Sequence, residues 1–326
     1  MPRIEPLRLI AAARRIGETA AFRIAGRLFA ALLVVVLALR LWELWRRDPI
    51  DFGKLDPGTF ALAVLASAAA VTGYGLVWPY WLRRLGTRAT ASWIAIFFRG
   101  QLGKYMPGSV WQYAGRVGLA RKRGVPAQRA LTSVVAEVVF SAAAAALTGL
   151  LVLGPATAGL ALAGAVTTGA LVGAAAYGLR RSRPLLAAET RLVRMRIDIP
   201  SLTGALRAAP GAGILYVLVW VVYGLAFWLT ARALFAVPLS EAPRYVGVFA
   251  VAWLVGLVAV FAPGGVGVRE AAIVALLGSR LGQENALALA GVSRIVLTTV
   301  DLVAGAAAVF VPLLRRRDLR PLEARP

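Results

Sequence analysis

Six ionisable side chains stand in text that is otherwise apolar: Lys104, Glu137, Arg269, Glu270, Arg294 and Asp301. An ionisable group at the centre of a bilayer costs about 2.5–3.5 kcal/mol on insertion scales, so each is read first as functional. Lys104 stands three residues before Pro107-Gly108-Ser109, and Arg269-Glu270 follow Pro263-Gly264-Gly265. Proline lacks an N–H and ends the helix before it. Glycine lets the chain turn and approach closely. The helical arm after each break then offers unpaired N–H groups and a partial positive charge, an arrangement suited to a phosphate. Lys104 and Arg269 are the cations expected to touch that phosphate, and Gln112 is expected to line the same cavity. Glu137 and Arg294 lie about equally deep in their segments, entered from opposite faces, and are expected to approach one another. Glu137 is then a contact for a headgroup amine, a proton-coupled switch or a counter-ion to Arg294. Asp301 lies two turns beyond Arg294 on a similar face. Arg116 and the run Arg121-Lys122-Arg123 read as a solvated inner-leaflet face. Trp78, Trp81, Trp93 and Trp111 read as interface anchors.

The elements that must carry these residues follow from composition. Of 326 residues, 60% are hydrophobic and 16% charged, with a mean hydropathy of +0.74. Soluble domains carry about 45–50% apolar and about 25% charged residues. Stretches 57–82, 138–179, 208–231 and 245–268 hold no charged side chain. Crossing the hydrocarbon core takes about 20 apolar residues. The fold class is therefore all-α and polytopic, since lipid offers no partner to a bare backbone group. The alternating strands of a barrel are absent. With no Cys and no His, disulfides, thiolate nucleophiles, Cys/His zinc sites, haem ligation and a Ser-His-Asp triad are excluded. No G-x-x-x-x-G-K-[ST] loop is present, and no metal or other cofactor is expected.

Six spans are expected, at 28–45, 59–82, 130–153, 157–179, 211–231 and 285–314, with two broken segments at 92–115 and 245–277. Connections on one side then carry 26 Lys and Arg, against 6 on the other. The positive-inside rule places both termini in the cytoplasm of a cell whose inner membrane holds the protein. The net charge of +22 thereby faces anionic lipid headgroups rather than nucleic acid. This assignment requires both broken segments to enter and return on the same side. Arg residues of the arm 1–27 could form a surface helix, and the arm has no convincing cleavage site.

Both broken segments carry similar text, Tyr105-Met106-Pro107-Gly108-Ser109-Val110 and Phe261-Ala262-Pro263-Gly264-Gly265-Val266, at an offset of 156. The same offset carries the span at 59–82 close to 211–231 and that at 130–153 onto 285–314. The chain thus divides into a basic arm 1–27, a first membrane repeat 28–156, an inverted second repeat 157–314 and a basic tail 315–326. Inverted repeats with discontinuous helices are a transporter signature, with the site near the midplane.

Residues 99–112, reading Arg99-Gly100-Gln101-Leu102-Gly103-Lys104-Tyr105-Met106-Pro107-Gly108-Ser109-Val110-Trp111-Gln112, resemble the first signature of the lysylphosphatidylglycerol synthase transmembrane-region family. Pro263-Gly264-Gly265-Val266-Gly267-Val268-Arg269-Glu270-Ala271-Ala272 is similar to its second. Order and spacing fit over nearly the whole chain. The resemblance implies the flippase part of the multiple peptide resistance factor, which moves aminoacylated phospholipids between leaflets. Other members are linked with polyprenyl-phosphate glycolipids. Only about a dozen residues follow the last span, so the fused synthase domain, and aminoacylation with it, is not expected.

The expected function is a lipid translocator rather than an enzyme. Its partners are an anionic or aminoacylated phospholipid or a polyprenyl-phosphate-linked lipid, with assembly of identical copies left open. Two alternatives stand beside it. One is a scaffold for a separate synthase or glycosyltransferase. The other is a membrane lipid-phosphate transferase drawing on Glu137, Glu270 or Asp301.

Overall fold

The computed structural model describes residues 55–87, 91–105, 111–154, 159, 199–258 and 265–310. The described chain forms eight α-helices and no strand among the described residues. They are α1 (Pro57–Arg84), α2 (Ala91–Gln101), α3 (Trp111–Lys122), α4 (Ala127–Leu153), α5 (Ile199–Phe235), α6 (Ala242–Val258), α7 (Val268–Leu281) and α8 (Gln283–Phe310). A 3₁₀ turn, Leu102–Tyr105, extends α2. Four helices are long and apolar enough to cross a membrane: α1, α4, α8 and the Arg207–Phe235 part of α5. The expected spans at 28–45 and 157–179 lie outside the described residues. So do Pro107, Gly108, Ser109, Pro263 and Gly264.

The helices begin and end for local reasons. Asp56 caps α1, accepting from the Gly58 N–H at 3.0 Å, with Pro57 at the first helical position. The Thr59 hydroxyl also donates to this carboxylate and holds it below the usual aspartate range. Helix α4 follows Pro126 and stops at Gly154, whose φ of 74° few other residues tolerate. Helix α5 departs from expectation, because it starts at Ile199 rather than 211 and runs through Pro210. The neighbouring turn is held from outside, where the Tyr80 hydroxyl donates to the Ala208 carbonyl at 3.1 Å.

Helices α1 and α5, equivalent under the 156-residue offset, run antiparallel along one another. The Asp56 N–H donates to the Ala233 carbonyl at one end of the pair. At the other end, a Cβ on Gly204 would sit 3.1 Å from the Arg84 carbonyl. The other packing follows the same exchange. Helix α2 packs on α8 as α6 packs on α4, α3 on α4 as α7 on α8, and α1 on α8 as α5 on α4. Each broken segment therefore lies against the last span of the opposite half, and the halves interlock.

Each broken segment is a pair of antiparallel arms. In the first, Gly103 of the 3₁₀ turn meets the Trp111–Gln112 backbone, and Gly100 faces Gln112 and Arg116. In the second, Gly256 of α6 faces Gly265 and Arg269. Glu241, just before α6, pairs with Arg280 in the last turn of α7 at 3.3 Å, so both arms end on one side. Gly100 and Gly256 each stand seven residues before their proline.

Packing between helices relies on small residues, as expected where lipid removes the hydrophobic drive. Gly149 receives Val251, Gly224 receives Val246, Gly247 receives Leu153, and Gly305 receives Leu102. Leu62, Leu65, Leu147, Leu151, Ile214, Leu218 and Val303 point outward, an apolar surface suited to acyl chains. The tryptophan expectation is corrected here. Trp78, Trp81 and Trp93 are fully buried, and only Trp111 of the four is exposed. The Trp78 indole N–H donates to Ser133 and that of Trp81 to Tyr216, each at 3.1 Å. These interior hydroxyls give the indoles the polar partner that an interface would otherwise supply.

A Cβ on Gly103 would fall 2.7 Å from the Gln112 nitrogen and 2.8 Å from the Trp111 carbonyl carbon. Backbone atoms cannot give way as a side-chain tip can. Gly103→Ala is expected to lower the unfolding temperature in detergent micelles and open the first hairpin. Gly118→Ala, with nothing within 4 Å, is expected to leave stability unchanged or raise it slightly. Equal behaviour of the two variants would contradict this packing.

Candidate functional site

Among the described residues, three ion pairs organise the interior. Arg116 of α3 grips Glu137 of α4 with both terminal nitrogens, at 2.6 and 2.8 Å. Both side chains are fully buried. The guanidinium is enclosed by the rings of Phe97, Tyr113 and Trp78, at 4.7, 5.3 and 5.5 Å. In the other half, the Arg294 Nε of α8 donates to Glu270 Oε1 of α7 at 2.6 Å. The second oxygen of Glu270 accepts from the Gly267 N–H at 2.6 Å, so one carboxylate holds a guanidinium and the start of α7 together. The third pair crosses between halves, joining Lys104 of the first hairpin to Asp301 of α8. The Tyr105 hydroxyl donates to the same Asp301 oxygen at 3.3 Å.

Two expectations are corrected by these pairs. Glu137 and Arg294 occupy near-equivalent positions, but they do not meet. Each instead pairs with the second arm of its own hairpin, with the charges reversed between halves. Arg116 is not an inner-leaflet face residue: it is the partner of Glu137, while Arg121 and Lys122 beyond it are exposed. The reason is geometric. The returning arm of each hairpin lies directly on the following span, so an ionised group on that span finds its neighbour there before it can reach the pseudo-axis.

Arg269 differs from Lys104, Arg116 and Arg294 in having no carboxylate partner among the described residues. Its Nε and Nη2 are buried and make no hydrogen bond. Its residue is 9% exposed. The guanidinium lies 4.3 Å from the Phe249 ring centroid, a cation–π contact that leaves its in-plane donors uncommitted. It is within electrostatic reach of Arg294, Glu270, Tyr223 and Asp301. Lys104 is likewise within reach of Arg294.

Both hairpins thus bring their inner ends to the middle of α8. Arg294 and Asp301 are seven residues apart there, about 10 Å along the axis. Lys104, Arg269, Glu270, Arg294 and Asp301 share this centre, with Gly265 beside Arg269 at a φ of 68°. Glu137 stands apart with Arg116, and Gln112 packs in the arm contact of the first hairpin. Among the described residues no three acids are grouped to hold a metal ion. Arg116, which pairs with Glu137, and Tyr105 and Tyr223, which lie near Asp301 and Arg269, are not among the site residues expected from the sequence. A signal for Arg116 existed: Glu137 needed a cation, and Arg116 was the nearest one on the neighbouring arm.

What the arrangement can do is hold an anion. It contains one uncommitted, buried guanidinium, flanked by two pairs that a competing phosphate could loosen.

Breaking a buried pair by removing one partner costs about 3–5 kcal/mol, whereas replacing both by apolar groups is often neutral. Glu137→Gln is expected to destabilise the protein by about that amount in chemical or thermal unfolding. The double variant Arg116→Met/Glu137→Leu is expected to recover most of the loss. A double variant as unstable as the single one would show that the pair is not a closed unit.

A family model described as the lysylphosphatidylglycerol synthase TM region matches residues 23–305. No curated protein and no solved structure matches the chain.

Proposed function

The chain belongs to the lysylphosphatidylglycerol synthase transmembrane-region family, and from that premise we propose that it is a lipid translocator for phosphate-bearing headgroups. The observation that carries this reading is the Arg269 guanidinium. It is buried at the meeting point of two interlocked hairpins, with two donors unpaired. An unpaired buried donor costs about 1–3 kcal/mol, more when charged, and a phosphate oxygen would relieve that cost.

In the proposed cycle, a headgroup enters between the hairpins from the inner leaflet while its tails stay in lipid. The phosphate engages Arg269 and the unpaired N–H groups expected after Pro107, and it competes with the Glu270 carboxylate for the Gly267 N–H at the start of α7. It competes with Glu270 for Arg294 and with Asp301 for Lys104. The antiparallel halves supply the means of exposure to the other side, since rocking one against the other exchanges two equivalent arrangements. In this reading the protein sits in the inner membrane with both termini cytoplasmic, the orientation that its basic connections favour. Passive exchange and coupling to an ion gradient are both compatible with this cycle.

Acyl-labelled phosphatidylglycerol in proteoliposomes containing the purified chain tests the reading. Folded wild-type protein is expected to carry the lipid between leaflets. Arg269→Ala is expected to slow the initial rate about 10- to 100-fold, the worth of a charge-assisted hydrogen bond. Arg121→Ala, at an exposed position, is expected to leave it unchanged. Transport that survives Arg269→Ala would remove the guanidinium from the cycle. Movement seen only when a cytoplasmic synthase is added would support the scaffold alternative instead.

A further inference from the structure

Every interior carboxylate in the described residues is matched by a cation, and one cation is left over. Glu137 is matched by Arg116, Glu270 by Arg294 and Asp301 by Lys104. Arg269 has no partner among them. The shared centre on α8 therefore carries three cations, Lys104, Arg269 and Arg294, against two anions, Glu270 and Asp301. Counted over the described residues, its net charge is one positive unit. In a site shielded from water, each further uncompensated charge is penalised far more than at a surface.

We propose that this centre selects its lipid by headgroup charge, accepting a phosphodiester with a single net negative charge and discriminating against headgroups that also carry a cationic amine. The proposal rests on the translocator reading and names the substrate class of the same site. A monoanionic phosphodiester brings the centre to neutrality. A neutral zwitterion leaves its amine facing carboxylates that already hold cations. A lysyl-modified headgroup, with its two amines, leaves a larger positive excess. A phosphomonoester dianion overshoots by one negative charge. The selected class includes phosphatidylglycerol and sugar-phosphate diesters of a polyprenol, because the charge and the diester are shared.

The same accounting gives a directed change. Asp301→Asn frees Lys104 and raises the centre to two positive units. The preferred headgroup should then move toward the dianion. Arg269→Gln lowers the centre to neutrality and should abolish the preference for an anion, while Arg269→Lys should retain it.

The test compares binding and transport in the full chain. Binding is read by native mass spectrometry and by lipid-dependent thermal stabilisation in a neutral detergent. The probes are phosphatidylglycerol, phosphatidylethanolamine, lysyl-phosphatidylglycerol and, at pH 8, phosphatidic acid. Soluble glycerophosphoglycerol is included to separate a lipid from its free headgroup. Wild-type protein is expected to prefer phosphatidylglycerol by about tenfold or more over the other lipids. Asp301→Asn should favour phosphatidic acid, and Arg269→Gln should lose the preference for phosphatidylglycerol over phosphatidylethanolamine. Transport rates should follow the same order. Equal binding of all four lipids by wild type, a preference for the lysyl-modified lipid, or an unchanged order in Asp301→Asn would overturn the proposal. Charge-ordered binding without transport of any lipid would uphold it while removing the translocator reading. Capture of the free headgroup as tightly as the lipid would retain charge selection but make the lipid tails irrelevant to it.

Discussion

Charge neutrality in a medium without water is the constraint on which this structure depends. An isolated ion at bilayer depth is costly, and a pair is tolerable only when its geometry is good. The described interior obeys this at three places. Arg116–Glu137 ties the returning arm of the first hairpin to α4, and Glu270–Arg294 ties that of the second to α8. Lys104–Asp301 then joins the first hairpin to the opposite half. Each pair is a neutralised charge and also a strut, so the hairpins are held where small residues alone would let them slide. Arg269 is the exception, and its exception is what gives the site a chemistry.

In the proposed cycle, the interlocked halves let these pairs be parts of a moving system. The first pair is sealed by Trp78, Phe97 and Tyr113. The second and third pairs are partly exposed and sit at the shared centre on α8, where a phosphate has cations to compete for. The asymmetry between halves is thus chemical as well as sequential. The same architectural position holds an acid in one half and a base in the other. Glycine contacts between the arms, at Gly103 and at Gly256 with Gly265, let each hairpin close tightly enough for the ions to reach.

Much of this was legible in the sequence, at the level of depth. Uncharged stretches marked α1, α4 and α5, three of the four spans among the described residues. The Pro-Gly text marked two segments whose arms return to one side, and the shared offset marked equivalent helices that prove antiparallel. Azimuth was not legible. Glu137 and Arg294 were correctly placed as near-equivalent, but partner choice depends on which helix lies beside which. That is set by the hairpin arms. Arg116 was hidden because a basic run follows it, and burial turns on the helix face rather than on the run. The three buried tryptophans were hidden because an indole suits an interface and a hydroxyl-lined core equally well. The extra turns of α5 were hidden because Pro210 reads as a stop unless a neighbour such as Tyr80 supports the turn beside it. The glycines seven residues before each proline were visible and carried more information than their small size suggested.

Arg269, the one buried guanidinium without an ion-pair partner among the described residues, is proposed to serve as a positive charge for a lipid headgroup. The chain has no cysteine, so Arg269→Cys creates a single thiol. Reacting it in proteoliposomes with a thiosulfonate that adds an ethylammonium group, and separately with a neutral isostere, measures the charge alone. The account predicts that phosphatidylglycerol transport, lost in Arg269→Cys, returns with the cationic adduct and not with the neutral one. Equal recovery with both adducts, or full transport by the unmodified cysteine variant, would contradict it.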